Sequence, residues 1–390
     1  MNGKLQSFNS GRAVFFLLAI ITVILVGAVL KTMSAVLLPF TISILLAIVT
    51  NTLVNFLRRF HIPRIISVLL VFLLLIGCLY SVGMLIYNSG SSIISLYPRY
   101  EVRLTEIYIW IARLFDLPYD EHLSIIDNLW GQVGVRNRLR IMTLSFSNGF
   151  IGFLRDAFMV ALFMAFLLAE ATFFKKKLDK AFEGTRAVQI KKITTGVMSQ
   201  VTHYLSIKFF ISVVNGVLVG IGLKIIGVEF AAVWGVIQFV MNFIPNIGSI
   251  AVGLAATAFS VIQFWPDPAP MIATGLVMLI VNVVLGCILD PKIMGDRLGL
   301  SPVVVLVSLL IWGYIWGFAG LIIAVPMMAI IKIICESIPL LEPISILMGS
   351  RKAVKAARSE EDRAAGNSEE NQPEKNDPEA TAPPFKAADN

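Results

Sequence analysis

Charge is the scarcest material in this chain. Only 15% of its 390 residues are Asp, Glu, Lys or Arg, while 57% are hydrophobic, and a soluble globular protein carries about 25% charged residues. Too little polar material is present to coat a water-soluble fold, and the mean hydropathy of +0.82 agrees. The polar tail after residue 350 takes a disproportionate share of the charges that do exist. The body is therefore read as an all-α, polytopic membrane protein.

Cysteine and histidine are almost as scarce. The three cysteines, Cys78, Cys287 and Cys335, sit singly in apolar runs, and His61, His122 and His203 are dispersed. Without a CxxC pair or a His cluster, zinc and haem chemistry have no support, and no metal or other cofactor is expected. No G-x-x-x-x-G-K-[ST] string occurs, which argues against ATP-driven transport by this chain alone. No acid–base or nucleophile constellation marks an enzyme. The net charge of +7 does not point to nucleic acid, because basic residues in a polytopic chain first serve as orientation signals.

Long apolar runs are what the sequence has. Ala13–Leu30, Ala35–Leu57 and a third run from Ile65 are uncharged, enough for helices crossing about 30 Å of hydrocarbon with roughly 20 residues each. The first resembles a secretory signal but lacks a convincing cleavage site, so it reads as a retained helix. Arg58, Arg59 and Arg64 crowd the loop between the second and third runs. Placing that loop in the cytoplasm puts both termini inside and residues 88–150 outside. This outer stretch has six basic and six acidic residues with recurring Tyr108, Trp110, Leu114, Phe115, Ile125, Ile126 and Trp130, suggesting short amphipathic helices with turns at Pro98, Pro118, Gly131 and Gly134.

A fourth span runs from about Phe153 to Phe174 and holds Glu170 near its inner boundary. Glu170 is either an intramembrane functional carboxylate or a partner of Lys175, Lys176 or Lys177. Residues 175–205 carry seven Lys or Arg against two acids, which predicts a basic amphipathic cytoplasmic helix feeding a fifth span.

The second half is poorer still in charge, Asp267 being the only charged residue from Phe230 through Leu289. The 35 residues from Phe230 to Phe264 are broken by Asn242-Phe243-Ile244-Pro245-Asn246-Ile247-Gly248-Ser249, which predicts two helices joined at a turn. Gln238, Asn242, Asn246, Ser249 and Gln263 could line a polar route there, or simply bond neighbouring helices. Downstream, Gly313, Gly317, Gly320 and Pro326 punctuate the uncharged run Val303–Ile331, which reads as a second hairpin. Between them Asp290, Lys292, Asp296 and Arg297 sum to zero, which suits mutual pairing near a boundary. Asp290 is a path candidate, with Pro291, Gly295, Pro302 and the hairpin glycines as gating or hinge candidates.

The phrases NFIPNIGS, LDPKIMGDRLGLSPVVVLVSLLIWGYIWGFAG and LIIAVPM resemble the autoinducer-2 exporter-type transporter family, and the resemblance runs from the first span to about residue 345. The family's motif positions fall on Asn242, Pro245, Gly248, Asp290, Pro291, Gly295, Leu300, Pro302, Trp312, Gly313, Gly317, Gly320 and Pro326. Many relatives have Glu before the Pro-Lys or Pro-Arg step, where this chain has the shorter Asp290. The resemblance implies a bacterial or archaeal inner-membrane permease that forms a homo-oligomer, with members proposed to export quorum-signalling molecules and others linked to cation/proton antiport.

The expected architecture is a bundle of about eight membrane helices. Its parts are 1–87 (three spans), 88–150 (outer insert), 151–205 (fourth span and basic segment), 206–345 (transport core) and 346–390 (disordered tail). The expected function is secondary export of a small polar organic solute, with sodium or lithium/proton antiport or a non-transporting scaffold as alternatives. Expected partners are membrane lipids, the solute or a monovalent cation and proton, and further copies of the chain.

Overall fold

Apolar runs without charge satisfy their backbone groups internally as helices, and helices are what form. The computed structural model describes residues 10–115, 149, 151–170, 177, 185–294, 299–338 and 341–350. In chain order these build α1 (Ser10–Thr32), α2 (Ser34–Arg58) and α3 (Arg64–Leu114). They continue through α4 (Ile151–Glu170), α5 (Thr185–Ile226), α6 (Ala231–Met241), α7 (Ile247–Phe264) and α8 (Pro268–Asn282). A π-helical turn, Val283–Leu289, leads into α9 (Asp290–Met294), and α10 (Pro302–Ser337) and α11 (Glu342–Met348) follow. Among the described residues the sole β-type pairing is an isolated bridge between Leu300 and Gly349.

Seven helices are long and apolar enough to cross a membrane, where the sequence suggested about eight. Among the described residues two shorter apolar helical stretches stand beside these seven, Leu17–Thr32 in α1 and the whole of α6. Leu73, Ile225, Leu254 and Leu310 are among many large apolar side chains left exposed on the helix exteriors, which is stable only against lipid.

Pro98 does not make the expected turn; it lies inside α3, which continues for 51 residues, or about 76 Å. An interior proline forfeits a backbone bond and costs about 3 kcal/mol, so tertiary contacts must hold the extension straight. Tyr100 packs edge-on to Phe259, Trp110 to Trp265, and Arg99 bonds Glu229. The extension thus leans on the far ends of α6 and α7.

Two chain reversals shape the interior. The first joins α6 to α7 across Asn242–Asn246, with Asn246 at φ +59°. A Cβ on Gly248 would lie 1.8 Å from the Met241 carbonyl oxygen, so only glycine allows this closeness. The second lies inside α10, where Trp316 and Gly317 leave helical geometry and Gly317 takes φ +61°. Ser308 Oγ donates to the Ala324 carbonyl at 2.7 Å, whereas 16 residues of straight helix would hold them about 24 Å apart. Gly320 repeats the Gly248 device, its Cβ position falling 1.9 Å from the Trp312 oxygen.

The turns meet in the core. Ile244 shares one buried cluster with Leu45 and Val49 of α2, Val201, Tyr204 and Leu205 of α5, and Leu309, Trp312 and Trp316 of α10. Trp316 Nε1 donates to the Leu30 carbonyl, and the Lys31 ammonium sits over the Tyr314 ring, pinning the second turn to the α1–α2 junction. At the other end of α10, Ser301 N donates to the Met348 carbonyl and Ser350 N to that of Gly299. Residues 346–350, expected within the disordered tail, therefore strap the start of α10.

Candidate functional site: a buried polar seam

The site begins on α5. Tyr204, Lys208, Ser212 and Asn215 recur at intervals of four, four and three residues and are all buried, so they form one stripe on one helix face. Opposite that stripe stand α6 and its turn. Gly216 and Gly235 bring the two backbones into contact: a Cβ on either would lie 2.6 Å from the other's carbonyl oxygen. Short amide side chains can bridge a gap this small, and longer packing residues would not fit between them.

A continuous hydrogen-bonded seam results. Gln238 Nε2 donates to Asn215 Oδ1 at 3.1 Å and to Asn282 Oδ1 at 2.8 Å. Asn242 Nδ2 donates to Ser212 Oγ at 2.9 Å, while its Oδ1 accepts from Asn215 Nδ2 and Ser249 Oγ. Asn282 Nδ2 closes the circuit onto the Ser249 carbonyl at 3.1 Å. Four elements thus contribute amides and hydroxyls but no charge. Among the described residues one seam acceptor is left over, the buried Gln238 Oε1, which has no partner. By donor and acceptor count, the seam offers an open acceptor to a group that donates.

One turn along the α5 stripe the chemistry changes to ions. Lys208 Nζ donates to Asp290 Oδ2 at 2.7 Å, with side-chain exposures of 5% and 17%. Asp290 Oδ1 is buried and has no partner among the described residues. Among the described residues Asp290 therefore meets Lys208 and not Lys292, one of the two partners expected for it. The π-helical turn ends at Asp290, which packs on α5 while Lys292 is exposed; Arg297 lies outside the described residues. π-Turns are strained and recur at functional sites.

Other expected residues fall elsewhere. Glu170 pairs with Lys177 at an exposed position, and no contact joins it to the seam among the described residues. Asn246 is exposed, and Pro245 serves the turn, its carbonyl accepting from Ile247 N. Gln263 clamps the α5–α6 connection, donating to the Gly227 carbonyl and accepting from Glu229 N. Gly317 and Gly320 form the second turn, Gly313 faces the Leu321 side chain, and Pro326 is buried in the returning arm. Pro302 opens α10 and Pro291 lies in α9, while Gly295 is outside the described residues. Sequence reasoning missed Lys208, Ser212, Asn215 and Asn282. For Ser212 and Asn215 the available signal was their place on one face of an otherwise apolar span.

Beside Phe259, Tyr100 donates its hydroxyl to the Glu229 carboxylate. Burial first, and the Glu229 bond second, push the Tyr100 hydroxyl well above the ordinary tyrosine value of 10.0. Among the described residues no His, Cys, Asp and Glu group suited to a metal ion occurs.

Discontinuous helices that surround a buried polar seam in an apolar bundle define a membrane transport protein. Residues 15–340 match the AI-2E family transporter. A putative transport protein of Borreliella burgdorferi is 33% identical over 340 residues, 87% of this chain and 91% of its own. A putative transport protein of Haemophilus influenzae is 29% identical over 85% of this chain and 95% of its own. The AI-2 transport protein TqsA of Escherichia coli is 26% identical over 87% of this chain and 96% of its own. The chain belongs to the AI-2E transporter family; it is a multi-pass membrane transporter and not an enzyme.

Proposed function

We propose that the chain is a secondary transporter that exports a small, uncharged, polar organic solute across the cytoplasmic membrane, a quorum-signalling molecule being one such solute. The observation that carries this reading is the seam of Ser212, Asn215, Gln238, Asn242, Ser249 and Asn282, which is buried, hydrogen-bonded and free of net charge. A neutral amide and hydroxyl lining matches hydroxyl-bearing solutes, and the open Gln238 acceptor favours a donor group. Similarity to a relative named for AI-2 transport supports the same class of cargo. Residues 206–345 form the transport core on this reading, with Pro302, Gly313, Gly317, Gly320 and Pro326 shaping its second hairpin.

The basic loop Arg58–Arg64 supports an orientation with both termini in the cytoplasm. Large apolar surfaces on the helix exteriors leave room for both lipid and further copies of the chain. Purified protein in proteoliposomes, challenged with radiolabelled polyols, furanones and amino acids, tests the function. Flux above protein-free vesicles for a hydroxylated neutral solute is the expected result. No flux for any organic solute, with sodium moving against protons, would replace this reading by antiport.

A further inference from the structure

A lysine ammonium is costly to hold inside a membrane bundle, and it persists there only when something compensates for it. Lys208 is 4% exposed, and its compensation is Asp290. The pairing is exclusive among the described residues. Asp267, the only acid between Phe230 and Leu289, caps the start of α8 through Ala269 N, with all of α8 and the π-helical turn between it and Asp290. Lys332, the other buried lysine, has its own acid, Glu336, at 2.9 Å. Tyr204, one turn before Lys208 on the same stripe, is buried and carries a hydroxyl in place of a second charge.

Asp290 lies where a coupling ion would be expected to bind. It follows the π-helical turn that continues from α8, its partner Lys208 lies one turn along α5 from Ser212 of the seam, and one of its buried carboxylate oxygens has no partner among the described residues. A buried carboxylate in such a place suits a hard cation. The position is already filled, however, by a cation on a covalent leash. Adding sodium to the neutral Lys208–Asp290 pair would leave a net positive charge in a medium of low dielectric, which is unfavourable.

We propose that the Lys208 ammonium is a tethered cation occupying the place beside Asp290 that a free sodium or lithium ion would otherwise take, so that transport runs without either ion. The independence of transport rests on the function proposed above, whereas the occupancy of the site does not. Occupancy is therefore tested by ion binding, with no solute required.

The full-length protein is purified in detergent and its thermal unfolding followed in sodium, lithium and choline chloride at matched ionic strength. Wild type and Lys208→Arg should melt at the same temperature in all three salts. Lys208→Met leaves Asp290 uncompensated; it should melt lower in choline and recover by on the order of 3 °C or more in sodium or lithium. Adding Asp290→Asn to Lys208→Met should abolish that recovery. A sodium-specific rise in wild type that Asp290→Asn removes would overturn the proposal. So would a folded Lys208→Met that ignores sodium, or a Lys208→Met that stays unfolded in every salt while the double variant folds. In proteoliposomes, replacing sodium by choline should leave wild-type solute flux unchanged, and a loss of flux would contradict ion independence. Absence of flux in any salt would sink the proposed function and leave the melting result standing.

Discussion

Gly248→Ala is the substitution whose consequence follows most directly from the geometry. Its new Cβ would sit 1.8 Å from the Met241 carbonyl oxygen and 2.7 Å from the carbonyl carbon, where a tolerable C···O contact is about 3.3 Å. The obstacle is backbone, so it cannot rotate away, and the turn must open by about 1.5 Å. The bond between Ser249 Oγ and Asn242 Oδ1, now 3.0 Å, would then pass the limit of about 3.5 Å for a hydrogen bond. Overpacking of this kind costs about 1–3 kcal/mol, less than the 5–15 kcal/mol that holds a typical protein folded. The variant should insert and fold, melt lower, and lose flux by about ten- to a hundredfold, as displacements near 1 Å do at organised sites. Gly275→Ala is the control: its Cβ would meet Thr257 side-chain atoms at 3.6 Å, an ordinary contact, and helix propensity favours alanine by about 0.5–1 kcal/mol. Melting and proteoliposome flux measured on both variants decide the matter. Gly248→Ala with wild-type melting and flux would refute the reasoning.

Asn242→Ala deletes bonds to Ser212, Asn215 and Ser249. At about 0.6 kcal/mol per hydrogen bond within a membrane it should cost roughly 2 kcal/mol by chemical denaturation, and flux should fall by more than that loss of folded protein accounts for. Outside the spanning segments, Tyr100 keeps its proton in the folded state above the ordinary value of 10.0 because burial and Glu229 raise its pKa. The unfolded chain releases that proton first, so stability is complete below about pH 10 and declines as pH rises further. Tyr100→Phe should flatten that alkaline decline in a melting series without changing the pH dependence between 6 and 8.

The sequence made the bundle legible because its signals are one-dimensional. Uncharged runs mark spans, Pro245 and Gly248 mark one turn, and Gly317 marks the other. Gln238, Asn242 and Ser249 were visible for the same reason, as polar residues in an uncharged stretch. The partners were harder to find. Lys208 lies 82 residues from Asp290 in sequence, and nothing local distinguishes it from the basic residues of the preceding segment. Lys292 was the local match for Asp290 because the two are neighbours in sequence, but the π-helical turn and the packing of α9 on α5 bring Lys208 to it instead. Pro98 misled in the opposite way: its local preference for a turn yields to the aromatic contacts of Tyr100 and Trp110 along α3. In sequence Glu170 fits either a functional carboxylate or a partner of the neighbouring lysines, and it pairs with Lys177 at an exposed position.

The central claim is that solute passes along the seam between α5 and the α6–α7 turn. Ser212 sits in that seam with no exposed surface, and Ser212→Cys, in a chain with Cys78, Cys287 and Cys335 replaced by Ala, tests the passage directly. A small membrane-impermeant thiol reagent should modify this cysteine in folded, reconstituted protein as the path opens, and a solute that the wild type carries should slow the reaction in proportion to its occupancy. A cysteine at 212 that stays unmodified throughout sustained flux, or that reacts at the same rate with saturating solute present, would contradict a path through the seam.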